Sequence, residues 1–176
     1  MKQIISISLM LFFTACNNQQ KTDTNNKLAG MYKLLTIEMQ DSSGIWHEQE
    51  WSKGGDSYIV YDGLGHMAVQ ITPKDYKDFN WIKEEETINK DILKQKVDSM
   101  SADQLRAALI EFSSNYAYVA NYSINDTASV ITHNRLSHTI PSAWNTSVKR
   151  SFEFRGDSLF LQVKEVKRRL TWIRQK

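Results

Sequence analysis

Apolar and polar residues alternate at period two in many short runs along this chain, which is the pattern of β-strands. Residues 31–39 carry apolar side chains on both faces of such a strand, and residues 116–124 show the same alternation. The runs 58–61 and 66–72 flank the sequence DGLG, whose glycines can adopt positive φ. These two runs therefore predict a β-hairpin.

The remaining period-two runs are a weaker one at 45–51 and clearer ones at 129–136, 148–154, 158–166 and 168–174. The total is eight or nine strands. In a small domain, an antiparallel sheet of this length either closes or stacks on itself to remove its edges, and closure suits the pattern best.

Residues 74–112 depart from this pattern because their apolar positions recur at spacings of three, four and seven, as in a helix. Ser101 and Gln104 have the spacing of a capping box, which predicts a helix beginning there. The sequence thus predicts an all-β fold: a single antiparallel β-barrel of about eight strands, with a helical insertion between the fourth and fifth strands.

The N-terminus resembles a bacterial lipoprotein signal. Lys2 precedes an apolar run over residues 4–13, far shorter than the roughly 20 residues that span a bilayer. Thr14 and Ala15 then precede Cys16, the only cysteine in the chain. The resemblance implies that Cys16 is lipidated, for example with palmitate, and becomes the new N-terminus. An ordinary signal peptide with a stray cysteine is the alternative.

Three regions follow from this assignment: a signal peptide over residues 1–15, a flexible tether over residues 16–27 and the barrel over residues 28–176. The tether lacks apolar residues after Cys16 and cannot bury surface to offset the entropy lost on ordering. Asn17 follows the cysteine where an aspartate would favour the inner membrane, so the resemblance favours the outer membrane of the cell envelope. The net charge of +2 gives no basis for binding nucleic acid.

The barrel segment, from residue 28 to residue 174, resembles the lipocalin-like domain proteins of bacteria. The resemblance rests on the order and spacing of short motifs: LAGMY at 28–32, YIVY at 58–61, GHM at 65–67, Tyr118, Tyr122, His133, Pro141 with Trp144, RSF at 150–152, GDSL at 156–159 and LTWIR at 170–174. It implies a calycin-type barrel able to hold a small molecule.

The resemblance also implies how the barrel is closed at one end. Gly30 and Tyr32 stand where the family has Gly-x-Trp, and Trp172 and Arg174 belong to the last strand. In lipocalins an arginine of the last strands covers the aromatic ring of the first strand, so Arg174 is expected over Tyr32. The segment over residues 80–100 is expected to form an extra helix over one end of the barrel.

The interior of such a barrel is either filled by side chains or able to hold one ligand. Tyr61, Tyr118, Tyr122 and Trp144 are the aromatic candidates for an apolar pocket, and the alternative is that these tyrosines only pack the core. The full set of candidate pocket residues is Tyr58, Tyr61, Met67, Tyr118, Tyr122, His133, Trp144 and Arg150.

Arg150 and His133 are the groups expected to make the pocket polar, because each lies mid-strand among apolar neighbours. A buried arginine requires an anionic partner. A ligand carboxylate meets that requirement, and so does a protein carboxylate such as Asp157 or Glu153.

No cofactor or metal is predicted. His133 and His138 are five residues apart and would face opposite sides of a regular strand, and no zinc, EF-hand or nucleophile-elbow motif is present. The chain is therefore predicted to be an envelope lipoprotein whose partners are the membrane and a small hydrophobic or amphipathic molecule. Two alternatives stay open: a cofactor-free isomerase or cyclase using a Tyr, His and Arg trio, and a structural lipoprotein with a filled barrel.

Overall fold

The structure is a computed structural model that describes residues 24–25, 27–50, 53–76 and 82–176. The predicted signal peptide, Cys16 and most of the tether lie outside the described residues. Within them, the elements in chain order are β1 (Gly30–Gln40), β2 (Trp46–Glu48), β3 (Tyr58–Tyr61), β4 (His66–Ile71), α1 (Glu84–Thr87), α2 (Lys90–Asp98), α3 (Ala102–Ser114), β5 (Tyr116–Asn125), β6 (Val130–His138), β7 (Ser147–Arg155), β8 (Ser158–Val163) and β9 (Arg168–Arg174).

The strands form one closed antiparallel barrel. Each strand from β3 to β9 pairs with the next, and β1 closes the ring by pairing with both β3 and β9. The short strand β2 pairs with the far end of β1 as an additional strand. Eight barrel strands with three helices between β4 and β5 confirm the predicted fold class.

One face of each strand builds the core. In β4 the side chains of Met67, Val69 and Ile71 are buried and alternate with exposed residues, as a half-buried strand requires. Corresponding residues of the other strands complete a single hydrophobic cluster, whose largest fully buried members are Trp172, Tyr32, Tyr61, Ile59, Ile131, Leu159 and Leu161.

One end of the barrel is closed by Arg174, whose guanidinium carbon lies 4.7 Å from the centroid of the Tyr32 ring. Its Nη1 donates to the main-chain carbonyl of Ala29 at 2.6 Å, and its Nη2 donates to the Tyr32 hydroxyl. Gly30 makes room for this contact, since a Cβ there would come within 2.5 Å of Arg174 Nη1. Arg174 therefore covers Tyr32 as the resemblance implies, and its guanidinium has hydrogen-bond partners within the fold.

Two β-bulges change which side chains face the interior. In β1 the register against β9 shifts between Leu34 and Thr36, so Leu34 and Ile37 are both buried while Leu35 is exposed. The regular alternation predicted for residues 31–39 put Leu35 and Ile37 on one face and was wrong there. In β6 the extra residue is Leu136, which the register against β5 skips.

The helical insertion follows the predicted capping chemistry. The Ser101 hydroxyl accepts from the Gln104 amide, and the Gln104 side chain accepts from the Ser101 amide at 2.9 Å, so α3 begins as predicted. Helices α1 and α2 occupy the described part of the segment expected to form an extra helix. Among the described helices, none has the length and apolar content needed to cross a membrane.

The end of α3 defines the second end of the barrel, called here the mouth. Ser113 and Ser114 lie beside Arg168, the first residue of β9, whereas Arg174 is the last residue of that strand. At about 3.3 Å per residue, these two arginines are separated by roughly 20 Å along β9. The mouth is therefore opposite the end closed by Arg174.

Candidate functional site

A cavity of about 140 Å³ lies at the mouth, between the end of α3 and the inner face of the barrel. Apolar side chains from several strands and the loop after β6 form most of its wall, and two arginines add charge. Its lining residues are Ile37, Ile71, Ser113, Ser114, Tyr116, Ile140, Arg150, Arg168 and Leu170.

Arg150 projects from β7 into the barrel interior and is only 4% exposed. Its guanidinium lies against the Tyr118 hydroxyl, but Nε and Nη1 are buried without a hydrogen-bond partner among the described residues. A guanidinium stays protonated at any physiological pH. Arg150 thus presents a permanent positive charge with unused donors beside the cavity.

Two further arginines share this region. Arg168 lines the same cavity, and Arg135 lies with its guanidinium 5.5 Å from the Tyr118 ring. Each has a buried Nε without a partner in the described structure. Burial and then the positive charge of Arg150 lower the pKa of Arg168. The three cations therefore repel one another in a partly desolvated site.

The acidic partner suggested for Arg150 within the protein was wrong. Glu153 is exposed and forms a two-point ion pair with Arg155, with Oε1 to Nε at 2.7 Å. Asp157 is also exposed, in the β7–β8 turn. Within residues 27–50, 53–76 and 82–176, no ion pair joins Arg150, Arg168 or Arg135 to a carboxylate.

From the neighbourhood of Arg150 toward the closed end of the barrel, a buried hydrogen-bonded chain joins two tyrosines through His133. The Tyr118 hydroxyl lies 2.7 Å from His133 Nδ1, and the Tyr61 hydroxyl lies 3.0 Å from Nε2. Burial first, and then the charges of Arg150 and Arg135, lower the pKa of His133 well below its usual value. His133 is therefore neutral, with one nitrogen donating and the other accepting.

Arg150 sets the direction of this chain. The positive charge of Arg150 lies against the Tyr118 oxygen, and a guanidinium can only donate, so the Tyr118 hydrogen is expected to point away from it, to His133 Nδ1. His133 then carries its hydrogen on Nε2 and donates to Tyr61. Burial raises the pKa of both tyrosines, so both keep their hydrogens. The Tyr, His and Arg trio is thus assembled, but His133 is fully buried with both nitrogens occupied.

The bulge at Leu136 brings His138 to the interior as well. His133 and His138 were expected to face opposite sides of a regular strand, and that expectation was wrong because β6 is not regular. His138 stacks on Tyr118, with ring centroids 5.4 Å apart and planes at 11°. No three His, Cys, Asp or Glu side chains of the described residues are grouped to hold a metal.

The half of the barrel nearer the end closed by Arg174, called here the lower half, is filled by side chains. Tyr61 and Tyr122 contact each other edge to face at 5.1 Å, and Met67 is buried in the same cluster. Arg150 also borders a void of only about 10 Å³ among core side chains, room for at most one water molecule. Tyr61, Tyr122 and Met67 therefore pack the core instead of lining a pocket.

Two of the aromatic candidates lie outside the mouth cavity. Trp144 is 52% exposed and, with Tyr58 and one side of Tyr118, borders an open groove of about 530 Å³ along β3 to β6. This groove is larger than the cavity at the mouth, but its remaining wall is mainly small and outward-facing side chains such as Val60, Ala68 and Val119. Of the eight predicted pocket residues, only Arg150 lines the mouth cavity itself, and Tyr118 and His133 support it.

Sequence reasoning missed Arg168, Arg135 and His138. Arg168 lies in a basic run that resembles a solvated strand end, so only the closed barrel shows that it turns toward the mouth. Arg135 faces inward by regular alternation with His133, and the bulge at Leu136 then turns His138 inward as well. Arg150 was found because a charged residue in the middle of an apolar strand is a visible signal.

A family model and a solved structure are similar to this chain. A crystal structure of a lipocalin-like protein from Bacteroides uniformis ATCC 8492 aligns with 84% of this chain and 98% of its own, at 12% identity and a TM-score of 0.42. A search of curated proteins finds no match. The family model described as a lipocalin-like domain matches residues 29–173, which is most of the chain. The chain therefore belongs to the lipocalin-like domain family.

Proposed function

We propose that this protein binds a small amphipathic molecule in the cavity at the mouth of its barrel. The observation that carries the proposal is an apolar cavity into which a buried polar group, Arg150, projects with unused hydrogen-bond donors. Small-molecule sites in proteins combine a mostly apolar wall with a few fixed polar groups. The filled lower half of the barrel restricts the ligand to the mouth.

The proposal extends to the cell envelope, where lipidated Cys16 anchors the chain to a membrane, with the outer membrane favoured. The barrel receives its N-terminal segment at the closed end, because Lys27 contacts Phe154 and Arg174 holds the carbonyls of Lys27 and Ala29. The mouth lies at the other end of β9. An anchored barrel would therefore be attached by its closed end, leaving its mouth free to exchange ligand.

The first test is native mass spectrometry of the protein purified from its host, followed by extraction and identification of any bound molecule. A stoichiometric small molecule is expected. Replacing Ile140→Trp should displace it, because Ile140 lies at the partly exposed rim of the cavity and a larger side chain there fills the space.

Ile45→Trp is the matched control, since Ile45 is exposed in the β1–β2 turn and does not line the cavity. Ligand lost from both variants, or retained by both, would contradict the mouth as the binding site. A protein that carries no molecule from its host and responds to none of a panel of small acids, amides and alcohols would instead favour the structural alternative.

A further inference from the structure

We infer that the ligand of the mouth cavity is a small organic anion, a carboxylate whose charge is held by Arg150 and Arg168 and whose apolar part is no larger than about one aromatic ring. This inference rests on the proposed function and names the chemical class of the ligand.

The positive charges at the cavity have no anionic partner in the described structure. Arg150 is almost fully buried, with Nε and Nη1 unpaired, and Arg168 contributes a buried unpaired Nε from across the same cavity. A buried charge without a partner is costly, and the described residues supply no carboxylate to either arginine. Glu111, on α3, keeps one buried carboxylate oxygen without a hydrogen bond and forms no ion pair in the described structure. The anion is therefore expected from outside the chain.

The hydrogen-bond donors of Arg150 suit a carboxylate. Hydrogen bonds from a guanidinium to a carboxylate are charge-assisted and are among the strongest hydrogen bonds in proteins. Nε and Nη1 of Arg150 are unpaired and lie on different edges of its guanidinium, so each can donate such a bond, and the Tyr118–His133–Tyr61 chain holds its aromatic neighbours in place. The clamp is therefore built before the ligand arrives.

The volume of the mouth cavity limits the size of the ligand. The cavity measures about 140 Å³, and a cavity of roughly 150 Å³ accommodates benzene. Ile37, Ile71 and Leu170 form its apolar wall. An aromatic acid or a short-chain fatty acid fills this space, whereas most of a long acyl chain would remain in water and gain little from binding.

The test measures binding of defined probes by isothermal titration calorimetry and by thermal midpoint. The acids are benzoate, phenylacetate, butyrate, hexanoate and palmitate; the neutral controls are benzamide and hexanamide; inorganic phosphate is the control for unspecific anion binding. At least one of the small acids is expected to bind and to raise the midpoint. The matching amide should bind at least about 30-fold more weakly, the loss typical of an unpaired buried charge.

Variants assign the effect to the clamp. Arg150→Gln should weaken binding of the acid at least about 30-fold, and Arg168→Gln about tenfold, because Arg168 is less buried. Arg155→Gln removes the same charge from the same strand, but its side chain is exposed and paired with Glu153, so affinity should not change. Palmitate should bind no more tightly than hexanoate.

The outcomes separate the two proposals. Amides that bind as well as the acids would overturn the anion inference and leave the proposed function standing. Phosphate that binds as tightly as benzoate would overturn the organic part of the inference. If no acid or amide binds and the protein from its host is empty, the inference and the proposed function both fail.

Discussion

Two buried or partly buried arginines of this barrel have opposite roles, and the difference lies in their hydrogen bonds. Arg174 donates to two main-chain carbonyls and a tyrosine hydroxyl, so its charge is satisfied within the fold. Arg150 leaves two nitrogens unpaired in the described structure. A satisfied charge stabilises the structure around it, whereas an unsatisfied one costs stability, as expected of a group that serves the proposed binding.

This contrast predicts that Arg150→Met increases the free energy of unfolding of the empty protein by about 0.5–2 kcal/mol, the size common for single stabilising substitutions, because it removes a buried charge that has no partner. Arg174→Met should lower the free energy of unfolding by about 1–3 kcal/mol, because it removes charged hydrogen bonds and the contact with Tyr32. Denaturation by urea measures both. If Arg150→Met destabilises the protein as much as Arg174→Met, Arg150 is a structural residue.

At the scale of the element, the alternation of residues predicted the strands and most of their ends, including β9 over residues 168–174. It could not predict the bulges, because a bulge adds one residue without any change in residue type that marks it. The bulge of β6 alters the site, since His138 faces inward only because Leu136 is skipped. The pocket residues were therefore harder to predict than the strands that carry them.

The bulge suggests a deletion experiment. Removing Leu136 leaves Arg135 opposite Ala120 and Ser137 opposite Val119, so every inward side chain keeps its face. Leu136 is 52% exposed. We expect this deletion to change the free energy of unfolding by no more than about 1 kcal/mol, as measured by urea denaturation.

Deletion of Val119 is the matched control, because it is a similarly exposed apolar residue on the neighbouring strand. There the strand is regular, so losing one residue reverses the faces of Tyr118 and Ala120 relative to each other and should unfold the barrel. Equal damage from both deletions would show that the bulge itself is needed to close the barrel.

At the scale of the whole molecule, the barrel has a packed half and an open half. The packed half holds the neutral His133 between two tyrosines, and its environment could not be predicted because Tyr61, Tyr118 and His133 are far apart in the sequence. The sequence did indicate that His133 lies inside a barrel. Only closure of the barrel shows that both of its nitrogens are occupied and that it carries no charge.

The buried neutral state of His133 makes the stability of the whole barrel depend on pH. Its pKa in the folded protein is well below its usual value, so between the two pKa values the unfolded chain binds more protons and stability falls as pH falls. The loss should begin near pH 6.5 and reach at most about 1.4 kcal/mol per pH unit. His138, whose pKa burial and Arg135 also lower, adds to it.

Urea denaturation at several values between pH 7.5 and pH 5 measures this loss, and His133→Gln provides the comparison. Glutamine has a donor and an acceptor for the two tyrosines but does not titrate, so the variant should start less stable and lose less stability with acid. Titration of carboxylates affects stability little in this pH range. Lys96, for example, lowers the pKa of Glu86, so the stability that Glu86 contributes is lost only below about pH 4.3. Parallel curves for the two proteins would mean that His133 is protonated in the fold, and the direction assigned to the chain from Arg150 to Tyr61 would then be wrong.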